Sequence, residues 1–313
     1  MGLSLVTGGG GFIGSNMVRF LLEKGRQVRV LDNFETGKRE NLTAVGHQIE
    51  LIEGDIRDKA TVKKAVEGVD IVYHLAALGS VPRSIKDPAT THEVNATGTF
   101  NMLESSRQGQ VKRFVFASSS SVYGDSKVLP QHEGLPFAPI SPYAASKAIG
   151  EIYCRTFFET YGLQTICLRY YNVFGPRQDP ESQYAAAIPL FVSALLHDKS
   201  PRIFDDGEQS RGFTYIDNVT EANWKAASAK ETHGQAVNIS TAASVTVNAV
   251  VDEIRKLLGK EHIKPVYTDP RPGDIKHSLA DVSLAKKVIG YEPLVSFEEG
   301  ISRAIEWYKE NLV

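Results

Sequence analysis

The stretch Thr7-Gly8-Gly9-Gly10-Gly11-Phe12-Ile13-Gly14 constrains this chain more than any other. It follows the run Leu3-Ser4-Leu5-Val6, which reads as a strand, and opens a helical pattern from Phe12 to Lys24. Gly8, Gly11 and Gly14 form a GxxGxxG skeleton, with Phe12 and Ile13 at the helix start. Glycines at those places permit a tight turn, admit backbone close to a pyrophosphate and let helix pack on sheet; the helix N-terminus then faces the phosphates. A plain glycine-rich turn is the competing explanation, and glycine spacing alone does not dismiss it.

The next strand decides between them, because Gln27 to Asp32 ends on a carboxylate. An acid at that place accepts hydrogen bonds from both ribose hydroxyls of an adenosine and repels a 2'-phosphate, so NAD is expected rather than NADP. Asn33 continues this turn. Asp55-Ile56 ends the third strand, within reach of an adenine, and Leu75-Ala76-Ala77 ends the fourth, where small residues let backbone lie against a cofactor.

Short β-rich runs alternate with amphipathic stretches through the first half. The strands are Leu3 to Thr7, Gln27 to Asp32, Ile49 to Gly54, Asp70 to Leu75, Arg113 to Ser118 and Gln164 to Arg169. Between them lie helical patterns at Phe12 to Lys24, Lys59 to Val66, Ala89 to Arg107 and Tyr143 to Tyr161. Runs such as Ile71-Val72-Tyr73-His74-Leu75 are almost wholly apolar and suit strands covered on both faces. The expected fold is therefore α/β: a Rossmann-type, doubly wound parallel sheet with a smaller C-terminal substrate-binding lobe. Residues 1–175 form the cofactor-binding part and 176–313 mainly the lobe, with segments around 212–240 expected to return to the sheet, among them a helix from Asp217 and a strand at Ala236 to Ile239.

Composition removes several function classes. Thirty-five basic against thirty-seven acidic residues leave a net charge of -2, with no electrostatic case for nucleic acid or an anionic membrane. The eight histidines are scattered, so no metal site is expected. Cys154 and Cys167 form no CxxC and suit buried thiols of a reduced compartment. No run approaches the roughly 20 apolar residues that span a bilayer, and the N-terminus enters a strand without a basic and then apolar leader. A cytoplasmic protein is the expectation.

Two later signals carry chemistry. Tyr143-Ala144-Ala145-Ser146-Lys147 is YxxxK at the start of a helix, so phenol and ammonium share a face. An ammonium beside a tyrosine favours phenolate and makes it a usable base. Ser118-Ser119-Ser120-Ser121 places hydroxyls at the C-terminal edge of the fifth strand, where doubly wound sheets bind ligands.

With these residues the chain resembles an extended short-chain dehydrogenase/reductase along nearly its whole length, within the UDP-galactose 4-epimerase family and nearest its UDP-N-acetylglucosamine branch. The resemblance rests on TGGGGFIGS (7–15), LDNFETG (31–37), LAALGSVPRSIKDP (75–88), SSSSVYG (118–124), SPYAASK (141–147), LRYYNVFGPRQDP (168–180), DGEQSRGFTYIDN (206–218) and RPGDIKHSLAD (271–281). It implies Tyr143 as acid and base, Lys147 as its tuner and holder of the nicotinamide ribose, and Ser119 as the partner of the reacting 4-hydroxyl. Ser120, Ser121, Asn172, Gly79, Ser80 and Ser84 are implied to face substrate. Arg211 and Arg271 stand where relatives clamp a UDP diphosphate, and Asp274 where they hold the uridine ribose.

Ser278 occupies a place where related epimerases carry a bulky tyrosine, so its small side chain implies room for a 2-N-acetyl group. The implied activity is interconversion of C4 epimers of UDP-hexoses, chiefly UDP-GlcNAc and UDP-GalNAc and also UDP-Glc and UDP-Gal, through a 4-keto sugar. The alternatives are a UDP-hexuronate 4-epimerase and a non-catalytic NAD sensor. Dehydratases of this type carry an Asp-Glu pair where Ser120-Ser121 stand. Uronate epimerases carry Arg in place of Asp179, whose charge is expected to repel a sugar carboxylate. Gly9-Gly10 is expected to loosen the phosphate loop, and contacts of Phe191 and Phe204 stay open. A homodimer through the helices Ala89 to Arg107 and Tyr143 to Tyr161 is implied as well.

Overall fold

The computed structural model describes residues 2–180, 186–270 and 276–311. Strands β1 (Leu3–Thr7), β2 (Gln27–Asp32), β3 (Ile49–Glu53), β4 (Ile71–His74), β5 (Arg113–Ser119), β6 (Thr165–Tyr170) and β7 (Ala236–Ile239) make one seven-stranded sheet. Its order is β7-β6-β5-β4-β1-β2-β3, and every pairing is parallel. The order reverses between β1 and β4, so their C-terminal ends open a crevice where such sheets bind ligands. Val72, Phe114, Val115 and Ile166 are fully buried, as strands covered by helices on both faces require.

Strand boundaries lie within one residue of the expected ones. The helix expected from Ala89 to Arg107 differs. It is built as Pro88–His92, a single π-helical turn at Glu93–Thr97, and Gly98–Gln108. The wide turn carries Asn95, whose buried side chain bonds Leu78 N, Leu78 O and Ser146 Oγ and so ties this helix to the cofactor-side loop and to the Pro142–Tyr161 helix.

After residue 176 the chain is made of small pieces. Val173–Phe174 pairs with Thr214–Tyr215, Ser210–Arg211 with Val245–Thr246, and Arg202–Phe204 with Val266–Thr268. Between them the Ile216–Ser228 helix and β7 pack back onto the main sheet, β7 against β6. Phe174, Phe213, Tyr215 and Phe297 form an edge-to-face and tilted aromatic cluster that ties these pieces together, with centroids 5.6 to 6.3 Å apart. Among the described residues no helix is long and apolar enough to cross a membrane, and no group of three or more His, Cys, Asp or Glu is placed to hold a metal ion.

Candidate active site

The glycine turn is fixed by contact as well as by conformation. Gly8 adopts φ +71, and a Cβ there would stand 2.8 Å from the Ala76 Cα; a Cβ on Gly14 would stand 2.0 Å from the Gly8 carbonyl. The expectation that Gly9-Gly10 loosens the loop is corrected. A Cβ on Gly9 would meet Val30 at 2.6 Å, Gly10 N donates to Asp32 Oδ2 at 2.8 Å, and the Gly10 carbonyl accepts from Lys38 N and Asn41 Nδ2, both at 2.9 Å. These glycines let the loop pack tightly.

This turn floors an open cleft of about 1250 Å³. Every expected cofactor residue lines it: Gly8, Gly11, Phe12, Ile13, Gly14, Asp32, Asn33, Asp55, Ile56, Leu75, Ala76, Ala77, Tyr143 and Lys147. Asp32 also accepts from Phe34 N at 2.7 Å. Burial raises its carboxyl above the ordinary value, against the pull of these two backbone bonds. Asp55 is committed elsewhere: Arg57 grips it with two side-chain bonds of 3.0 and 2.7 Å and holds its carboxyl below the ordinary value, while Asn33 Nδ2 donates to it at 2.9 Å. It lines the cleft and at the same time ties down Asn33.

Sequence reasoning missed what holds the opposite wall. Thr7 Oγ1 accepts from the backbone N–H groups of Leu75 and Ala76 at 3.2 and 3.1 Å and lies 2.8 Å from His74 Nδ1. His74 Nε2 lies 3.0 Å from Thr99 Oγ1, which itself donates to the Asn95 carbonyl at 2.6 Å. Thr99 therefore accepts from Nε2–H and Thr7 donates to Nδ1, which fixes a neutral imidazole. Full burial lowers the His74 pKa to about 3, in agreement. The only sequence signal was a histidine inside an apolar strand.

Tyr143 and Lys147 sit on the first turns of the Pro142–Tyr161 helix, which Ser141 caps by accepting from Ala144 N at 3.2 Å, with Pro142 in the first turn. Ser119 ends β5 and stands beside the Tyr143 phenol in the lining of one cavity. One part of the expectation is revised. The Lys147 ammonium donates to the Ala117 carbonyl at 2.7 Å, with Nζ 5.9 Å from the Tyr143 ring centroid. Burial pushes the lysine down to about 8 and raises the phenol, and the pull that lowers the phenol comes from Ser119. The phenol is thus coupled first to a hydroxyl, with the lysine behind both.

Behind β5, Ser118 donates to Glu151, and Glu151 takes two bonds from Arg169, at 2.9 and 2.7 Å, in a buried ion pair. The Ser118 hydroxyl thus points inward and anchors the serine run, while Ser118 to Ser121 all border the cavity in front.

That cavity, about 1040 Å³, is lined by Ser119, Ser120, Ser121, Tyr143, Asn172, Arg211 and Ser278, and by Gln131, Gln178 and Val81, which the sequence had not singled out. Gly79 and Tyr143 line both it and the cofactor cleft. Ser80 and Ser84 are corrections, since the structure brings neither to the cavity. Ser80 caps the Val81–Lys86 helix by accepting from Arg83 N at 3.1 Å, and fully buried Ser84 donates to the Val81 carbonyl at 2.7 Å. A third cavity, about 860 Å³, shares Asn172 and Arg211 with this one and is walled by Phe191, Arg202, Phe204 and Phe213. Arg211 is held by the Ser210 and Lys276 carbonyls, each at 3.0 Å. Arg271 and Asp274 lie outside the described residues. Asp179 pairs with Lys38 at 2.9 Å and is not among the residues lining the sugar-side cavity, so the expected repulsion of a carboxylate by its charge loses its footing.

The profile of the family described as GDP-mannose 4,6 dehydratase matches residues 5–304. The chain belongs to this family. A solved UDP-N-acetylglucosamine 4-epimerase from Methanobrevibacter ruminantium M1, in complex with UDP-N-acetylmuramic acid, is 40% identical, covers 99% of this chain and 98% of its own, and superposes with a TM-score of 0.94. A putative UDP-glucose 4-epimerase of Methanocaldococcus jannaschii is 38% identical over 309 residues, 98% of each chain. The UDP-glucose 4-epimerase of Thermus thermophilus, solved as a complex with NAD, is 35% identical, covers 99% of each chain and has a TM-score of 0.89.

Proposed function

We propose that this protein is an NAD-dependent UDP-hexose 4-epimerase that acts on UDP-N-acetylhexosamines and also on UDP-glucose and UDP-galactose. The observation that carries the reading is the position of Tyr143, beside Ser119 at the junction of the cofactor cleft and a polar cavity. The cleft's residues fit NAD: a tight glycine turn, in which a Cβ at Gly8 or Gly14 would strike neighbouring backbone, and a buried carboxylate at Asp32. When bound there, NAD supplies a hydride acceptor and the same hydride's return.

Tyr143 takes the proton from the sugar 4-hydroxyl, which Ser119 orients, and gives it back on the opposite face. Lys147, anchored on Ala117, fixes the floor beneath this pair. The volume in front of Tyr143 lets the sugar present either face, and Arg211, at the passage between the two substrate-side cavities, suits a diphosphate with its planar donor fork. Residues 176–313 supply most of the cavity walled by Phe191 and Phe204, whereas the cavity in front of Tyr143 is lined mainly by residues before 176. Ser120 and Ser121, where an elimination would want acids, favour epimerisation over dehydration.

The test is incubation of the purified protein, without added cofactor, with UDP-GlcNAc, UDP-glucose and UDP-glucuronate. C4 epimers of the first two are expected, with the larger kcat/KM for the acetylated sugar. A 4-keto-6-deoxy product, or turnover of the glucuronate alone, rejects the reading.

The same reading includes a homodimer. Phe100, Ile152 and Tyr153 stand 37%, 53% and 36% exposed around a depression on the outer faces of the Gly98–Gln108 and Pro142–Tyr161 helices, a surface suited to an isologous contact. Sedimentation at micromolar concentration is expected to give twice the chain mass.

A further inference from the structure

The sugar-side cavity contains a recess whose polar groups the proposed chemistry does not use. Gln131 lines it at 2% exposure. Its carboxamide is oriented, because the Tyr171 hydroxyl donates to Oε1 at 3.0 Å. Its Nε2 forms no hydrogen bond with any described residue. Its backbone is pinned to the segment just after Ser278, with Gln131 N donating to the Leu279 carbonyl at 2.7 Å and Asp281 N donating to the Gln131 carbonyl at 2.9 Å. Ser278 Oγ and Ser121 Oγ line the same cavity, and both are buried without a hydrogen-bond partner.

Buried hydroxyls left unpaired, as on Ser278 and Ser121, cost free energy that a ligand's polar groups return. An amide nitrogen only donates, so with Oε1 taken by Tyr171 the side chain asks for an acceptor. The charges nearby say which kind. Glu133 accepts from Asn238 N at 2.7 Å, and Asn238 Nδ2 donates at 3.0 Å to the carbonyls of both Gln131 and Asp281, so two acidic residues back this wall. Among the described residues Arg211 is the cation with a place in the lining of this cavity. Arg169, which acts on both Glu133 and Tyr171, is paired with Glu151 in a buried ion pair, so a neutral oxygen suits the recess better than a carboxylate.

We propose that Gln131 is a specificity-determining residue whose amide nitrogen donates to a neutral carbonyl oxygen of the substrate, the acetamido carbonyl of a 2-acetamido hexose. The inference rests on the substrate reading above and adds to it: Ser278 leaves the space, and Gln131 supplies the contact that rewards filling it. A 2-hydroxyl at the same ring position does not reach as far and leaves the amide unpaired.

The experiment measures kcat/KM for UDP-GlcNAc and UDP-glucose in wild type, Gln131→Met and Gln131→Glu. Methionine keeps the length and removes the donor. Glutamate, assayed at pH 8.5, keeps an acceptor for Tyr171 and replaces the amide nitrogen by oxygen, so it separates the lost donor from a disturbed anchor. Both variants are expected to lower the UDP-GlcNAc to UDP-glucose ratio by about 10- to 100-fold, the scale of one substrate acceptor left without its donor. An unchanged ratio in folded variants, whether both activities fall together or neither falls, overturns the assignment. Wild-type enzyme without turnover of UDP-GlcNAc overturns the substrate reading itself, and the assignment with it.

Discussion

The two sides of this active site are built by different means. On the cofactor side, ligand-facing groups sit at ends of neighbouring parallel strands and are locked by short local bonds: Gly10 to Asp32, Thr7 to Leu75 and Ala76, His74 between two threonines. On the sugar side, Ser121, Gln131, Asn172, Arg211 and Ser278 come from five separate loops or short strands, and two of their hydroxyls are left without partners. The first region is preorganised around backbone and tolerates little change. The second presents side chains on small interlocking pieces, so substitutions there change selectivity before they change the fold.

The largest effect is expected where the regions meet. Tyr143→Phe removes the proton acceptor and leaves the ring in place, so kcat is expected to fall about 10²- to 10⁴-fold, the usual worth of general acid–base catalysis. Thermal unfolding of the variant should match wild type. Near wild-type turnover would detach the chemistry from this junction.

A selective effect is expected on the sugar side. Ser278→Tyr fills the recess, and overpacking of roughly 1–3 kcal/mol corresponds to about a 5- to 150-fold loss. The loss should fall on UDP-GlcNAc and much less on UDP-glucose when kcat/KM is compared. Equal losses would mean that this side is as rigid as the cofactor side, and the contrast would break.

The smallest effect is expected on the cofactor side and is read in stability. The His74 pKa is depressed from its ordinary 6.5 to about 3, so its neutral form is the one the fold accommodates. The stability this contributes is complete above about pH 6.5 and is lost as pH falls toward the folded value. The slope is roughly 1.4 kcal/mol per pH unit. Urea midpoints between pH 7 and 5 should fall more steeply for wild type than for His74→Gln. Parallel slopes would show that the histidine takes up a proton without cost and is not the rigid strut described above.

Legibility followed the same division. Every expected cofactor residue lines the cleft, because glycine spacing and strand ends are local properties of the chain and a parallel sheet carries them all to one edge. On the sugar side Ser119, Ser120, Ser121, Asn172, Arg211 and Ser278 reach the cavities, while Ser80 and Ser84 turned out to serve the short helix beside them. Gln131 had no local signature. Its place depends on a pairing with residues 279 to 281, far away in sequence.

The sequence by itself determined the alternation of strand and helix, the turn that can admit a phosphate and the phenol and lysine one helical turn apart, since each depends on residues close together in the chain. Only the tertiary structure decided that Ser119 stands beside Tyr143, where Lys147 spends its charge, that Asp179 faces Lys38 and that Gln131 shares a cavity with Ser278. Burial and hydrogen-bond geometry set those outcomes, and both are properties of surfaces brought together from distant parts of the chain.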